Sequence, residues 1–146
     1  MREGLAALNR TTRPQYLCLL AKACIETGRL HDGLSALTEA LALADEHELR
    51  AYEAEANRLM GDLLLKQNSN TAEAQSCFQR AIQIARKQSG RSWELRATMS
   101  LARLLRDTNR RDEARTMLAE IYNWFTEGFD TADLKDTKAL LDELGG

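Results

Sequence analysis

The residues best suited to chemistry are three cysteines (Cys18, Cys24, Cys77), two histidines (His31, His47) and carboxylate pairs near the C-terminus. A zinc or redox centre needs thiolates or imidazoles that converge. Cys18 and Cys24 are six residues apart on what reads as one helix, so they face different ways and cannot share a metal. His31 falls in a turn and His47 between helices, both solvent-facing positions. Asp133 with Asp136, and Asp142 with Glu143, could in principle do acid–base work, but their spacing reads as the wet face of a helix. There is no glycine-rich phosphate loop, no HExxH and no CxxC, and no nucleophile has an evident base and orienting partner. No enzymatic activity, cofactor or metal is expected. One cluster does suggest binding: Arg96, Arg103 and Arg106 recur at spacings of seven and three, so all three share a helix face, opposed locally only by Asp107. Guanidinium groups so placed suit an acidic peptide, a C-terminal carboxylate or an acidic domain.

The elements that must carry these residues are helices. The chain has one Pro and eight Gly in 146 residues, with abundant Ala, Leu, Glu and Arg. From Asn57 to Ala81, the stripe Leu59, Met60, Leu63 and Leu64 is followed by a polar turn and the stripe Ala74, Cys77, Phe78 and Ala81, which makes a helical hairpin. A slide of 41 residues carries Tyr52 to Trp93, Ala56 to Ala97, Met60 to Leu101 and Leu64 to Leu105, and a slide of 40 carries Ala74 to Ala114 and Phe78 to Leu118. Sliding back by about 40 carries Gly61 to Ala21, Leu64 to Cys24 and Asn68 to Gly28. One hairpin cannot bury its own apolar stripes, so the repeat predicts an all-α fold, an α-solenoid of antiparallel hairpins.

The predicted organisation is a single helical repeat domain over 1–146, with a remnant helix at 1–10, hairpins at 14–47, 48–90 and 91–127, and a capping helix at 130–144. Residues 1–10 read as the second helix of a hairpin whose first helix is missing, so the chain is expected to be cut from something longer. Pro14 suits a first helical turn, and Gly28 should close its helix in the left-handed conformation. The first helix should bury Leu17, Leu20, Ala21 and Cys24, and the second Leu34, Leu37, Ala40 and Leu41. The third helix should begin near Glu46 to Glu48. Gly61 in its interior costs roughly 1 kcal/mol relative to alanine, which implies close approach of a neighbour. Asn70 with Glu73 reads as a capping box, and Ser92 as the cap of the third hairpin. Leu134, Leu140 and Leu141 should turn the last helix onto Trp124 and Phe125.

These positions resemble the tetratricopeptide repeat over about residues 14–126: glycine or alanine at Ala21, Gly61 and Ala102, a bulky residue at Cys24, Leu64 and Leu105, a small one at Gly33, Ala74 and Ala114, and a small or apolar one at Ala40, Ala81 and Ile121. The departures are Gly33 and Ile121 in place of alanine or another small residue, and a period of 40 to 41 in place of 34. Ser92 to Gly145 is also similar to the C-terminal repeat segment of large bacterial regulators, in which a nucleotide-cyclase or DNA-binding domain is followed by an ATPase module and helical repeats. The resemblance implies a non-catalytic protein-interaction or regulatory module of a signalling protein.

In that family the first helix of each hairpin lines a groove. Here this implies a partner-binding surface of Lys22 and Glu26, then Glu55, Arg58, Asp62 and Lys66, then Arg96, Met99, Arg103 and Arg106, with Gln15, Cys18, Ile25, Leu65 and Asp107 beside them. The expected partner is a protein or acidic peptide, or other domains of the parent chain. A two-fold homodimer through Leu5 and Leu8 is a further expectation. The alternative functions are an enzyme of unrecognised type and nucleic-acid binding through the six arginines between Arg91 and Arg111. The acidic last helix, the absence of interleaved aromatics and a net charge of -2 weigh against nucleic acid. No segment has the roughly 18 apolar residues of a membrane-spanning helix, and the cysteines read as small buried hydrophobes in a reducing compartment, so a soluble, cytoplasmic protein is expected.

Overall fold

Three of the described helices stop at residues that take a left-handed backbone, and two of these stops recur with the repeat. In the computed structural model, which describes residues 13–44, 52–67, 71–125 and 131–145, Gly28 has φ +81°. Its N–H donates to Ile25 O at 3.3 Å and that of Arg29 to Cys24 O at 2.7 Å, the paired bonds of a Schellman motif. Asn109, at φ +66°, repeats the arrangement with bonds to Arg106 O and Leu105 O. The hydroxyls of Thr27 and Thr108 also donate, each at 2.9 Å, to Ala23 O and Leu104 O, so one device closes equivalent helices two repeats apart. A third stop uses a different residue. The left-handed residue is Ser89, at φ +55°, and Gly90 follows it with φ -91°. Glycine is needed at 90 for another reason: a Cβ there would lie 2.9 Å from Trp93 Cδ1.

The described residues form seven helices: α1 (Arg13–Glu26), α2 (Leu30–Ala44), α3 (Glu53–Lys66), α4 (Thr71–Lys87), α5 (Arg91–Asp107), α6 (Arg111–Trp124) and α7 (Ala132–Gly145). No strand occurs among them. The fold is all-α, as the repeat predicts. Residues 1–12, with Leu5, Leu8 and the remnant helix, lie outside the described residues, as do the expected start of the third helix at 46–48 and the capping residue Asn70.

The chain divides between Cys77 and Phe78 into two compact units. In the first, α1 and α2 run antiparallel, with Arg13 ion-paired to Glu39 at one end and Gly33 against Cys24 and Ala21 at the other. α3 packs on both. Leu17, Ala21, Leu37, Ala40, Ala56 and Leu63 form the core, where burial of a large side chain such as Leu37 or Leu63 stabilises by about 1.5–3 kcal/mol. Two predicted core residues are not there: Leu20 is 40% and Leu34 37% exposed. Each lies roughly 100° round its helix from the centre of the buried stripe, which is Pro14, Leu17, Cys18, Ala21, Cys24 and Ile25 in α1 and Gly33, Leu37 and Ala40 in α2.

In the second unit the C-terminal half of α4 joins α5, α6 and α7. α5 is buried nearly all round, from Glu94 and Leu95 to Leu105. α6 and α7 are antiparallel, with Arg111 donating to Glu143 O at 2.6 Å and Arg115 near Gly145. Leu134, Thr137, Leu140 and Leu144 are the buried face of α7, whereas Leu141 is half-buried. The predicted cap is corrected: Gly90 is the N-cap of α5 without a side-chain bond, and Ser92 lies exposed inside the first turn. At α7 the capping hydroxyl is that of Thr131, which accepts from Leu134 N–H at 3.4 Å.

Candidate functional site

In the first unit, the groove between α1 and α3 follows from two helices that take the same place in successive repeats. Lys22, Ile25 and Glu26 of α1 and Arg58, Asp62 and Lys66 of α3 line a cavity of about 340 Å³, with Leu59 and Leu65. Its floor is apolar, since Ile25 and Leu59 are buried and Leu65 half-buried. The charges above it are unequal in availability. Arg58 is held by its own helix, donating from Nε to Glu55 Oε1 at 2.5 Å and from Nη1 to Asp62 Oδ2 at 3.0 Å. Lys22, Glu26 and Lys66 are exposed and make no ion pair among the described residues. These three sum to one positive charge at the rim, against one negative charge left by Arg58 and its two carboxylates.

Two predicted members of this surface lie beneath it. Glu55 is 7% exposed because it turns in to serve Arg58. Cys18 is buried beside the same pair. Its thiol is pushed up to about 12, first by burial and then by the Glu55 carboxylate, with Arg58 opposing. Such a cysteine is inert as a nucleophile or ligand. Gln15 is exposed on α1.

The arginine face of α5 is placed differently from the sequence reading. Arg96 donates from Nε to Asp133 Oδ2 at 3.0 Å, and its guanidinium lies 5.3 Å from the centre of the Trp93 ring. Arg106 reaches Asp107 at 3.0 Å and Glu143 Oε2 at 2.6 Å. These carboxylates, Glu143 first, raise the Arg106 pKa. The expectation that Asp107 alone opposes this face is therefore corrected: α7 supplies Asp133 and Glu143. Met99, on the same face between the two ion pairs, is 4% exposed, because α7 runs alongside it. Arg103 alone of the three arginines is exposed and has no ion pair among the described residues.

A cavity that sequence reasoning missed lies in the second unit between α4, α5 and α6. It measures about 480 Å³ and includes Arg86, Arg91, Glu94, Met117 and Trp124 in its lining. Glu94 is 3% exposed, and Trp124, expected beneath α7, is 54% exposed with the Arg91 guanidinium 4.8 Å over its ring. The Arg91–Glu94 spacing was a visible local signal, but nothing in it announced the burial of Glu94.

Among the described residues no group of three or more His, Cys, Asp or Glu could hold a metal, and no helix is long and apolar enough to cross a membrane. The profile of the tetratricopeptide repeat family matches residues 52–126 of the 146. No curated protein and no solved structure is significantly similar to the chain.

Proposed function

Because the chain belongs to the tetratricopeptide repeat family, whose repeats generally mediate protein–protein interaction, we propose that it is a non-catalytic binding module whose α1–α3 groove takes an extended acidic peptide of its partner. The observation that carries this reading is the pair Lys22 and Lys66, exposed and without ion pairs among the described residues, above the apolar floor of Ile25 and Leu59. An apolar side chain of the peptide fills the floor, and its carboxylate meets an ammonium group at the rim. Specificity comes from Glu26, which disfavours a second acid close by. The module serves a larger bacterial signalling protein, a context suggested by the likeness of Ser92 to Gly145 to repeat segments of such regulators.

Nucleic-acid binding has weaker support. Of the six arginines from Arg91 to Arg111, four are ion-paired with carboxylates of the chain, namely Arg91, Arg96, Arg106 and Arg110, and Arg111 donates to a backbone carbonyl. The charge of Arg96, Arg106 and Arg110 is thereby offset by carboxylates of the chain itself.

Capture from source-cell lysate on the immobilised chain and on its Lys22→Glu/Lys66→Glu variant, with identification by mass spectrometry, tests the proposal. A protein held by the wild type and lost by the variant, then bound by the purified chain with a salt-sensitive Kd, is the expected result. Equal retention by both forms would remove the groove from the account.

A further inference from the structure

The larger cavity, between α4, α5 and α6, is organised by Glu94. A carboxylate only 3% exposed requires cations. It has two: Arg86 Nε donates to Oε2 at 2.9 Å and Arg91 Nη1 to Oε1 at 3.0 Å. Two guanidiniums serving one carboxylate leave a positive charge in excess at that corner, while Glu120 elsewhere in the lining brings the cavity as a whole to neutrality. They also leave donors unused, since each guanidinium carries five N–H groups. Neither guanidinium is ion-paired to a second carboxylate among the described residues, and the two side chains are 62% and 42% exposed. The Arg91 guanidinium also lies over the Trp124 ring, a cation–π contact that helps hold it in place.

The remaining lining decides what fits. Leu101, Met117 and Ile121 give the cavity an apolar side. Gln79 and Gln83 bring amides that both donate and accept, and Glu120, exposed and without an ion pair among the described residues, accepts only. A simple anion would satisfy the arginines but be repelled by Glu120 and leave the apolar side wet. An extended peptide supplies all the complements: a carboxylate for the guanidiniums, backbone N–H groups for Glu120 and the glutamines, and an apolar side chain. The volume, about 480 Å³, lies in the range of ligand pockets. We propose that this cavity is a second peptide-binding site, taking a segment in which a glutamate or aspartate neighbours an apolar residue. It depends on the second unit's residues and stands independently of the α1–α3 groove.

The chain has two tryptophans, so Trp93→Phe leaves Trp124, inside the site, as the sole tryptophan for selective excitation. Capped hexapeptides with a glutamate between two leucines, and the same peptides with glutamine in its place, are titrated into this chain up to millimolar concentration. Saturable change of Trp124 emission with the glutamate peptides, and binding about tenfold weaker or worse with glutamine, is expected. Arg86→Gln and Arg91→Gln should abolish binding, but they also strip partners from buried Glu94. Gln83→Glu gives a second test, because it adds a negative charge to the cavity wall while leaving Arg86, Arg91 and Glu94 all in place, and it should weaken the glutamate peptide several-fold. The Lys22→Glu/Lys66→Glu variant should bind unchanged. Absence of a saturable emission change, equal binding of the glutamine peptides, or indifference to Gln83→Glu would overturn the proposal. Loss confined to the Lys22/Lys66 variant would do so too, while leaving the α1–α3 reading intact.

Discussion

Arg106 and Glu143 are joined by a 2.6 Å hydrogen bond across 37 residues, the same separation that joins Arg96 to Asp133. Equal offsets at both ends mean that α7 runs parallel to α5, as the first helix of a following repeat would. The last helix thus closes its unit in two ways, through apolar contact with α6 and through ion pairs to α5.

Exposed ion pairs contribute about 0.2–1 kcal/mol each. The Asp133→Asn/Glu143→Gln double variant is therefore expected to lose about 0.5–1.5 kcal/mol in urea denaturation at low salt, with the difference shrinking at high salt. An unchanged midpoint in low salt would mean that apolar packing alone holds α7.

Ser89 occupies a left-handed conformation that costs an L-residue about 1–2 kcal/mol. Glycine removes that cost and gives back part of it in unfolded-state entropy. Ser89→Gly should raise stability by about 0.5–1 kcal/mol, read as a higher denaturation midpoint with an unchanged slope. A lower midpoint would show that the serine side chain has a stabilising contact.

At Gly33 an added Cβ would lie 3.4 Å from both Cys24 Cβ and Leu63 Cδ1, room for a methyl group and nothing larger. The family's usual alanine should fit here. Gly33→Ala is expected to gain up to about 1 kcal/mol from helix propensity, whereas Gly33→Leu should lose about 1–3 kcal/mol through overpacking. Thermal melts of the two variants would have to move in opposite directions.

The folded-state pKa of Cys18, about 12, lies above its ordinary value of 9.0. Because the fold disfavours the thiolate, the stabilising contribution is complete below pH 9 and is lost as pH rises towards 12, at up to about 1.4 kcal/mol per pH unit. Denaturation midpoints from pH 8 upward should fall faster for the wild type than for Cys18→Ala. At pH 8 iodoacetamide should modify half-buried Cys77 and spare Cys18 and Cys24, both buried, until the chain unfolds. Parallel pH profiles for wild type and Cys18→Ala would contradict the assignment.

The sequence by itself determined the helices, their period and most of the residues that face inward. Helical geometry places a residue every 100° or so, so the stripes ending in Leu37, Leu63, Leu101 and Leu118 declare themselves without knowledge of a neighbour. The left-handed stop at Gly28 is equally local, and Asn109 repeats it because asparagine is the next most tolerant residue. Lys22, Glu26, Asp62 and Lys66 could be assigned to one surface for the same reason: equivalent positions in a repeat come to equivalent places.

What only the tertiary structure decided is how charges are shared between helices. Arg96 and Arg106 read as an open basic face because their partners, Asp133 and Glu143, belong to a helix whose placement has no local signature. Glu94 carries no sequence signal of its burial, which depends on Arg86 arriving from the preceding helix. Leu20 and Trp124 erred the other way, apolar side chains that the packing leaves in water. Burial of an apolar stripe is driven by area and needs only some neighbour, whereas an ion pair needs a particular atom within a few ångströms, and that distance is set by packing and rotamers which periodicity does not encode.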